Sequence, residues 1–313
     1  MEYIIGIESG GTKSHLAAYD LKKNLIFENN GGYGNPSVDA KQTIDNISKL
    51  IESCLESLKG EKCRFLAVGM AGADTGDYKE ILHNHIKDKF MLDNIILNDA
   101  EMTAKAYLKN EDGIIAIAGT GASVYVQKNN EGKVIGGWGH ILGDKGSGFH
   151  TAVEALKRIA AQIDNGLELD ELSTKIIREI WGSLPNSQKE ITEIVPKVIK
   201  KFVYDNPKKT VASLFHVIVH LSDKDNAAAV KLLEDAGKYL AETTVSAIKE
   251  FKTDENIKIG LNGGVFHNSI VVLESYKNEV SKYSKNCLFI NKDIMVTEAV
   301  FNLYETRRKT WHL

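Results

Sequence analysis

The chain has 313 residues, of which 43% are hydrophobic and 26% are charged, and its formal net charge is −3. This composition is typical of a globular protein of about two domains and indicates neither a nucleic-acid partner nor a membrane partner. No apolar run reaches the roughly 18 residues of a membrane span, no signal peptide is visible, and the three cysteines form no C-x-x-C pair, so we expect a cytoplasmic protein without a zinc or iron–sulfur site.

The first predicted elements are two strands, residues 3–8 and 15–20, joined by a glycine-rich turn. The turn contains Gly10, Gly11, Thr12 and Lys13, and Glu8 lies just before it. It does not match the Walker pattern, in which lysine follows the second glycine and the loop opens a helix. A tight glycine turn between strands can still bind an anion through its backbone N–H groups. Lys13 either neutralises phosphate or is solvated.

An amphipathic helix follows, with apolar residues at helical spacing from Ile44 to Leu58. "CRFLAVGMAGA" then predicts a strand that runs into a glycine loop, and "NIILNDAEMTAKAYL" predicts a strand that ends at Asp99, followed by a helix. Ligands of open α/β sheets collect at such strand ends, which makes Asp99 a candidate catalytic carboxylate. The alternative is that Asn98 or Asp99 only caps the helix.

The same order of elements then starts again. "GIIAIAGTGASVYVQ" predicts two strands joined by a turn of Gly119, Thr120 and Gly121, and "IKIGLNGGVF" repeats the strand and glycine loop. We predict two domains, residues 1–113 and 114–313, with a helical insertion at about 149–252. Two such turns can hold the β- and γ-phosphates of one nucleotide, with Glu8 facing the metal ion.

"GGWGHILGDKGSG", residues 136–148, has six glycines in thirteen residues. Because each glycine carries an entropic cost, this density favours a binding loop over a packed one. Asp144 can accept hydrogen bonds from two adjacent sugar hydroxyls, although it could also be an ordinary turn aspartate. Trp138 either borders the sugar or packs in the core.

"IESGGTKS", "LNDAEMTA", "AGTGAS", "GGWGHILGDKGSG" and "LNGGVF", in this order, resemble the BadF/BadG/BcrA/BcrD-type ATPase family, and most closely its N-acetylglucosamine kinase branch. The resemblance runs from residue 3 to about 303. It implies an α/β fold of two ribonuclease-H-like, actin-like ATPase domains around a nucleotide cleft. It also implies ATP and Mg²⁺ as cofactors and an amino sugar as substrate, and it leaves a homodimer open.

The resemblance also implies a role for each matching residue. Glu8 matches the acid that acts on the metal, and Asp99 matches the general base. The phosphate loops match Gly10, Gly11, Thr12 and, in the second domain, Gly119, Thr120 and Gly121. The adenosine loop matches Gly263 and Gly264. The sugar-binding residues match Asn35, Gly137, Trp138 and Asp144.

Two other branches fit less well, because their cluster-ligating or zinc-binding cysteines are absent. Two departures from the family pattern concern the sugar: Lys145 replaces a glutamate after Asp144, and Ala122-Ser123 replaces Ser-Asn. Because a cation beside Asp144 would tolerate a carboxylate, we take Lys145 as a further substrate-binding residue for the lactyl group of N-acetylmuramic acid. The alternative is a surface lysine that points away.

The predicted reaction is ATP-dependent phosphorylation of the C6 hydroxyl of N-acetylglucosamine, and by this hypothesis also of N-acetylmuramic acid. A glucosamine kinase and a partner-driving ATPase of the same family are the alternatives.

Overall fold

The computed structural model describes residues 1–129, 131–252, 255–292 and 294–311. These residues form an α/β fold, as expected, and contain two five-stranded sheets. The chain divides into two compact units: Met1–Ile115, Gln127–Lys133 and Lys292–Leu313 form the first, and Ala116–Val126 and Val134–Asn291 form the second. None of the described helices is both long enough and apolar enough to cross a membrane.

The strands, in chain order, are β1 (Glu2–Ser9), β2 (Ser14–Asp20), β3 (Leu25–Gly31), β4 (Lys62–Met70), β5 (Asn94–Asn98), β6 (Gly113–Ala118), β7 (Ala122–Lys128), β8 (Glu131–Gly136), β9 (Ile257–Asn262) and β10 (Cys287–Ile290). The α-helices are α1 (Ala40–Ser57), α2 (Tyr78–Phe90), α3 (Asp99–Tyr107), α4 (Gly148–Asp164), α5 (Glu171–Trp181), α6 (Val195–Asp205), α7 (Lys208–Ala212), α8 (Leu214–Ser222), α9 (Ala227–Ile248), α10 (Gly264–Asn268), α11 (Ile270–Tyr283) and α12 (Ala299–Trp311).

The first sheet has the order β3-β2-β1-β4-β5, with β1, β4 and β5 parallel and β2 antiparallel to β1. Both faces of β1 are buried: Ile5 and Ile7 belong to one apolar cluster and Ile4 to another. This explains why the strand reads as an apolar run without alternation. Because β1, β4 and β5 are parallel, their carboxyl ends lie along one edge of the sheet.

Helix α1 begins where the sequence places a capping residue. The Asp39 carboxylate accepts a hydrogen bond from the Gln42 N–H at 2.9 Å, which satisfies one of the free N–H groups of the first turn. Ile47, Leu50 and Ile51 are buried and pack in the larger apolar cluster. The predicted amphipathic helix is therefore confirmed.

The second sheet has the order β10-β9-β6-β7-β8. Taken from its other edge, this is β8-β7-β6-β9-β10, the same succession as β3-β2-β1-β4-β5 in the first sheet. The repeated sequence pattern thus corresponds to a repeated order of strands. Helices α4 to α9 come between β8 and β9 along the chain.

The units differ from the sequence-based boundaries in two places, because Gln127–Lys133 and the residues from Lys292 onward group with the first unit. Val300 and Tyr304 of α12 are buried against Ile4 and Phe65 of the first sheet. The physical reason is that the second face of this sheet needs an apolar cover, which the last helix supplies.

A buried hydrogen bond anchors this terminal segment: the Thr297 Oγ1 atom lies 2.8 Å from the Tyr19 hydroxyl oxygen. We expect Thr297→Val to lower the free energy of unfolding by about 1–3 kcal/mol, since the shape is kept while the buried Tyr19 hydroxyl loses its oxygen partner and keeps only the weak Met295 Sδ contact at 4.0 Å. Thr297→Ser, which keeps the hydroxyl group, is the control. Urea unfolding measures both, and an unchanged midpoint for the valine variant would contradict the assignment.

Candidate active site

The first glycine turn is a four-residue hairpin loop. Ser9 of β1 pairs with Ser14 of β2, and their hydroxyl groups lie 2.7 Å apart beneath the turn. The Gly10 N–H donates to the Lys13 carbonyl at 2.9 Å, which closes the loop. Within the part of the chain that the structure describes, the N–H groups of Gly11 and Thr12 have no partner, and both residues are exposed. The turn therefore presents free donors, the property that anion binding requires.

Asn35 lies next to this turn in the first unit. The Gly34 N–H donates to the Gly10 carbonyl at 2.8 Å, which ties the segment to the hairpin. The Asn35 Oδ1 atom accepts from the Ser37 N–H at 2.9 Å, and its side chain lies against Gly72 in the loop after β4. The predicted sugar-contacting asparagine is thus fixed in orientation through one of its two polar atoms.

Asp99 is the first residue of α3 and directly follows β5. The capping residue is Asn98, whose Oδ1 atom accepts from the Ala100 N–H at 2.8 Å. The Asp99 Oδ1 atom accepts from the same N–H at 2.9 Å, and the backbone N–H of Asp99 itself is a second donor to this carboxylate. Asn98 is therefore the residue that caps α3, and capping does not account for Asp99.

Glu8 and Asp99 are carboxylates with raised pKa values. Burial is the main cause for both groups. The charge of Asp99 adds to the raised pKa of Glu8, whereas His15 and Lys13 lower it. Glu8 forms no ion pair among the described residues. A desolvated carboxylate of this kind is suited to a cation or to a proton.

Asp74, in the loop after β4, is a neighbour of the site that sequence reasoning missed. Its charge raises the pKa of Asp99 further. The Asn98 amide donates to Asp74 Oδ2 at 2.6 Å, and the Lys79 Nζ atom lies 2.6 Å from Asp74 Oδ1. The sequence did contain a signal for Asp74: it lies in "AGADTG", directly after the strand "CRFLAVGM", and that strand ends beside β5.

In the second unit, the turn of Gly119, Thr120 and Gly121 joins β6 to β7. The Gly119 N–H donates to the Gly121 carbonyl at 2.9 Å, which makes the turn tight. The Gly119 carbonyl accepts from the Gly148 N–H at 2.8 Å, where α4 begins. This contact joins the turn to the end of the glycine-rich loop.

The next glycine pair lies against the same strand end. Gly263 has a φ of +106°, and a Cβ atom there would lie 2.3 Å from the Ala118 carbonyl oxygen. Only glycine avoids both the strained backbone and this clash. The predicted adenosine loop and the predicted second phosphate loop are therefore neighbours within the second unit.

The glycine-rich loop of residues 136–148 ends in the helix cap Ser147, whose hydroxyl accepts from the His150 N–H at 3.2 Å. Asp144 adopts a left-handed backbone with a φ of +55°, and its carbonyl accepts from the Ser147 N–H at 3.1 Å. Its side chain is only 5% exposed. The loop thus turns Asp144 inward.

Asp144 has an ionic partner that sequence reasoning missed. The Lys208 Nζ atom, on the first residue of α7, lies 2.6 Å from Asp144 Oδ2. Lys145 instead places its ammonium 5.6 Å from the ring centroid of Tyr239 on α9. No sequence pattern identifies Lys208 as this partner. It is 64 residues away from Asp144 along the chain and is followed by a second lysine, Lys209, as surface lysines often are.

Gly137 and Trp138 lie in the exposed part of the same loop. The Trp138 side chain is 75% exposed and does not belong to the core. An exposed aromatic ring beside a polar loop is available to cover an apolar sugar face.

Each unit therefore brings together a set of predicted residues. The first unit joins the hairpin turn, Asn35, Glu8 and Asp99. The second unit joins Asp144 and the glycines of the turn and of the later glycine pair.

Known proteins resemble this chain over most of its length. The model of the BadF/BadG/BcrA/BcrD ATPase family matches residues 5–291. An N-acetylmuramic acid/N-acetylglucosamine kinase from Clostridium acetobutylicum is 30% identical over 285 residues, which cover 88% of this chain and 90% of that protein.

Two solved structures share the fold. A candidate N-acetylglucosamine kinase from Chromobacterium violaceum is 16% identical, with a TM-score of 0.74 over 96% of this chain and 98% of that chain. A ROK family glucokinase from Streptomyces griseus, solved with glucose and AMPPNP, is 14% identical, with a TM-score of 0.60 over 98% of this chain and 99% of that chain. At these identities the likeness concerns the two-domain fold.

Proposed function

This chain belongs to the BadF/BadG/BcrA/BcrD ATPase family, and from this premise we propose that it is an ATP-dependent amino-sugar kinase. The substrates we propose are N-acetylglucosamine and N-acetylmuramic acid, the two sugars in the name of the Clostridium relative. A cytoplasmic location and a homodimer remain predictions.

The observation that carries this proposal is the state of Asp99. It is a desolvated carboxylate at the carboxyl end of a parallel strand, where Asn98 is the helix-capping residue and only backbone N–H groups donate to the Asp99 carboxylate among the described residues. A raised pKa suits a group that must accept a proton near neutral pH. We assign Asp99 as the general base that takes the proton of the sugar C6 hydroxyl.

ATP is the phosphoryl donor in this proposal. The free N–H groups around Gly11 and Thr12 would bind phosphate oxygens, with Lys13 as a nearby cation. The second turn, Gly119 to Gly121, would bind phosphate in the same way. Gly263 and Gly264 would border the adenosine.

The donor set fits Mg²⁺ at Glu8. Among the described residues there is no group of three or more histidine, cysteine, aspartate or glutamate side chains that could hold a metal. Magnesium in kinases is commonly held by one or two carboxylates together with water and substrate phosphates, so a single desolvated glutamate is suitable. When bound, the ion neutralises phosphate charge as the phosphoryl group moves.

In this proposal the sugar contacts residues of two sequence regions, the segment of Asn35 and the glycine-rich loop of residues 136–148. We assign Asn35, Gly137 and Trp138 to its periphery. Asp144 would accept hydrogen bonds from ring hydroxyls through Oδ1, since Oδ2 is occupied by Lys208.

The lactyl group of N-acetylmuramic acid gives a prediction for Lys145, which is exposed and adjacent to Asp144. We expect Lys145→Glu to lower kcat/KM for N-acetylmuramic acid by about tenfold while that for N-acetylglucosamine changes little, because a second carboxylate repels the lactyl carboxylate. Lys157→Glu, on an exposed face of α4, is the control. Equal effects on both sugars would remove Lys145 from the site.

The direct test is ADP release from Mg-ATP with N-acetylglucosamine, N-acetylmuramic acid, glucosamine, glucose or no sugar. Turnover that depends on the N-acetylated sugars supports the proposal, and product analysis by NMR then identifies the phosphorylated hydroxyl. Preference for glucosamine would indicate the alternative kinase. Hydrolysis without any sugar dependence would overturn the proposal in favour of a partner-driving ATPase.

A further inference from the structure

An ion pair that the proposed reaction does not yet use lies beside the second glycine turn. It joins Lys208 of α7 to Asp144 of the glycine-rich loop, with 2.6 Å between Nζ and Oδ2. The two members differ in accessibility: the aspartate side chain is 5% exposed and the lysine side chain 30%. A molecule that approaches this pair therefore meets the ammonium group before the carboxylate.

The pair is in direct contact with the turn. A Cβ atom at Gly121 would lie 2.8 Å from Asp144 Oδ2 and 3.2 Å from Lys208 Nζ. Glycine at this position is what allows the ion pair to come so close to the turn. The ammonium and the backbone of Gly121 thus line the same small region.

Phe149 is a second neighbour of the ammonium. Its ring centroid lies 6.0 Å from Lys208 Nζ, and its N–H points to the Thr120 carbonyl at 3.4 Å. The lysine is therefore placed by groups that are themselves attached to the turn. A cation held in this way needs little reorganisation when a ligand arrives.

The ammonium retains unused donors. It has three N–H groups, and only the bond to Asp144 is formed among the described residues. The N–H groups of Thr120 and Gly121 have no partner among the described residues. A lysine beside such N–H groups is complementary to a phosphoryl oxygen. Asp144 fixes the position of the cation without blocking its accessible side.

We propose that Lys208 is a further catalytic residue, which contacts the phosphoryl group held at the turn of Gly119 to Gly121. This inference rests on the proposed kinase function. In the reaction, the bond from the γ-phosphorus to the β-phosphate oxygen breaks while a bond from the sugar hydroxyl oxygen to that phosphorus forms. The hydroxyl proton goes to Asp99 and the released charge goes to ADP. Lys208 exchanges no proton and balances the charge of the moving group.

The test replaces Lys208 by methionine, glutamine and arginine, with Lys209→Met as the matched control on the neighbouring exposed lysine. We expect Lys208→Met to lower kcat about 10²-fold, the usual effect of removing one charge-stabilising donor, with KM for the sugar nearly unchanged. Arginine should restore much of kcat because it keeps the charge. The control should behave as the wild type.

Glutamine makes the test independent of folding, because it can still donate to the buried Asp144 while it lacks the charge. It should lose kcat as methionine does, with a thermal midpoint closer to that of the wild type than the methionine variant has, since the donor to Asp144 is kept. A retained kcat in the methionine or glutamine variant would overturn the inference. So would a raised KM for the sugars alone, which would mean that the pair serves sugar binding through Asp144. A wild type without sugar-dependent turnover would instead refute the proposed function itself.

Discussion

Asp99→Asn is expected to lower kcat by about 10²–10⁴-fold, the usual contribution of a positioned general base. Asparagine keeps the Oδ1 atom that accepts from the Ala100 N–H, so the start of α3 should persist. What is lost is the ability to accept a proton from the sugar hydroxyl. Steady-state kinetics with the preferred sugar measure the effect, and Asp88→Asn on the exposed face of α2 is the control.

The same substitution should stabilise the fold at neutral pH. The pKa of Asp99 is raised in the folded protein, chiefly by burial, so the folded state binds the carboxyl proton more tightly than the unfolded chain. The ionised carboxylate therefore costs stability, fully at pH values above the raised pKa and not at all below the unfolded value of about 4. The thermal midpoint of Asp99→Asn should exceed that of the wild type at pH 7, and the difference should shrink as the pH falls.

The pH profile provides an independent check on Asp99. Since the base must be ionised, kcat/KM should fall on the acid side at a pH above the ordinary aspartate range. Asp74→Asn removes a neighbouring negative charge and should move this limb to lower pH. An activity that survives in Asp99→Asn, or an acid limb that ignores Asp74, would assign the base role to another group.

Gly263→Ala is expected to have the largest structural effect at the site. A side chain at this residue requires an unfavourable φ of +106° and places Cβ 2.3 Å from the Ala118 carbonyl oxygen, a backbone atom that cannot rotate away. Strain of this kind costs about 1–3 kcal/mol, and overpacking adds to it. Because Ala118 directly precedes the second turn, KM for ATP should also rise.

Gly264→Ala is the matched control for stability. That residue has no positive φ, and its added Cβ would meet only the Asn268 Nδ2 atom at 3.3 Å. Alanine also favours a helix over glycine by about 1 kcal/mol, so the control should unfold at or above the wild-type midpoint. Urea unfolding of both variants measures the difference. Equal losses of unfolding free energy in the two variants would show that the Ala118 contact does not cause the destabilisation.

The short-range features of this protein could be predicted from its sequence. The apolar strand ahead of Gly10, the helical spacing from Ile44 to Leu58 and the position of Asp99 at a strand end depend on neighbours within a few residues. Steric preferences and burial periodicity act over the same distance, so they produce a pattern in the sequence that predicts the element. The α/β class and the repeated order of elements follow from such patterns together, whereas the family was indicated by the resemblance of five short motifs.

Tertiary structure decided the features that join distant residues. The pairing of Lys208 with Asp144 spans 64 residues, and α12 covers Ile4 and Phe65 from the far end of the chain. Neither contact leaves a periodic signal in the sequence. A surface lysine and an ion-paired lysine, for example, cannot be told apart from the sequence. Lys145, chosen for its place beside Asp144, directs its ammonium to Tyr239, whereas the cation at the carboxylate comes from another helix. Sequence proximity indicated the loop, but only the packing of α7 against α4 places Lys208, and not Lys145, at the Asp144 carboxylate.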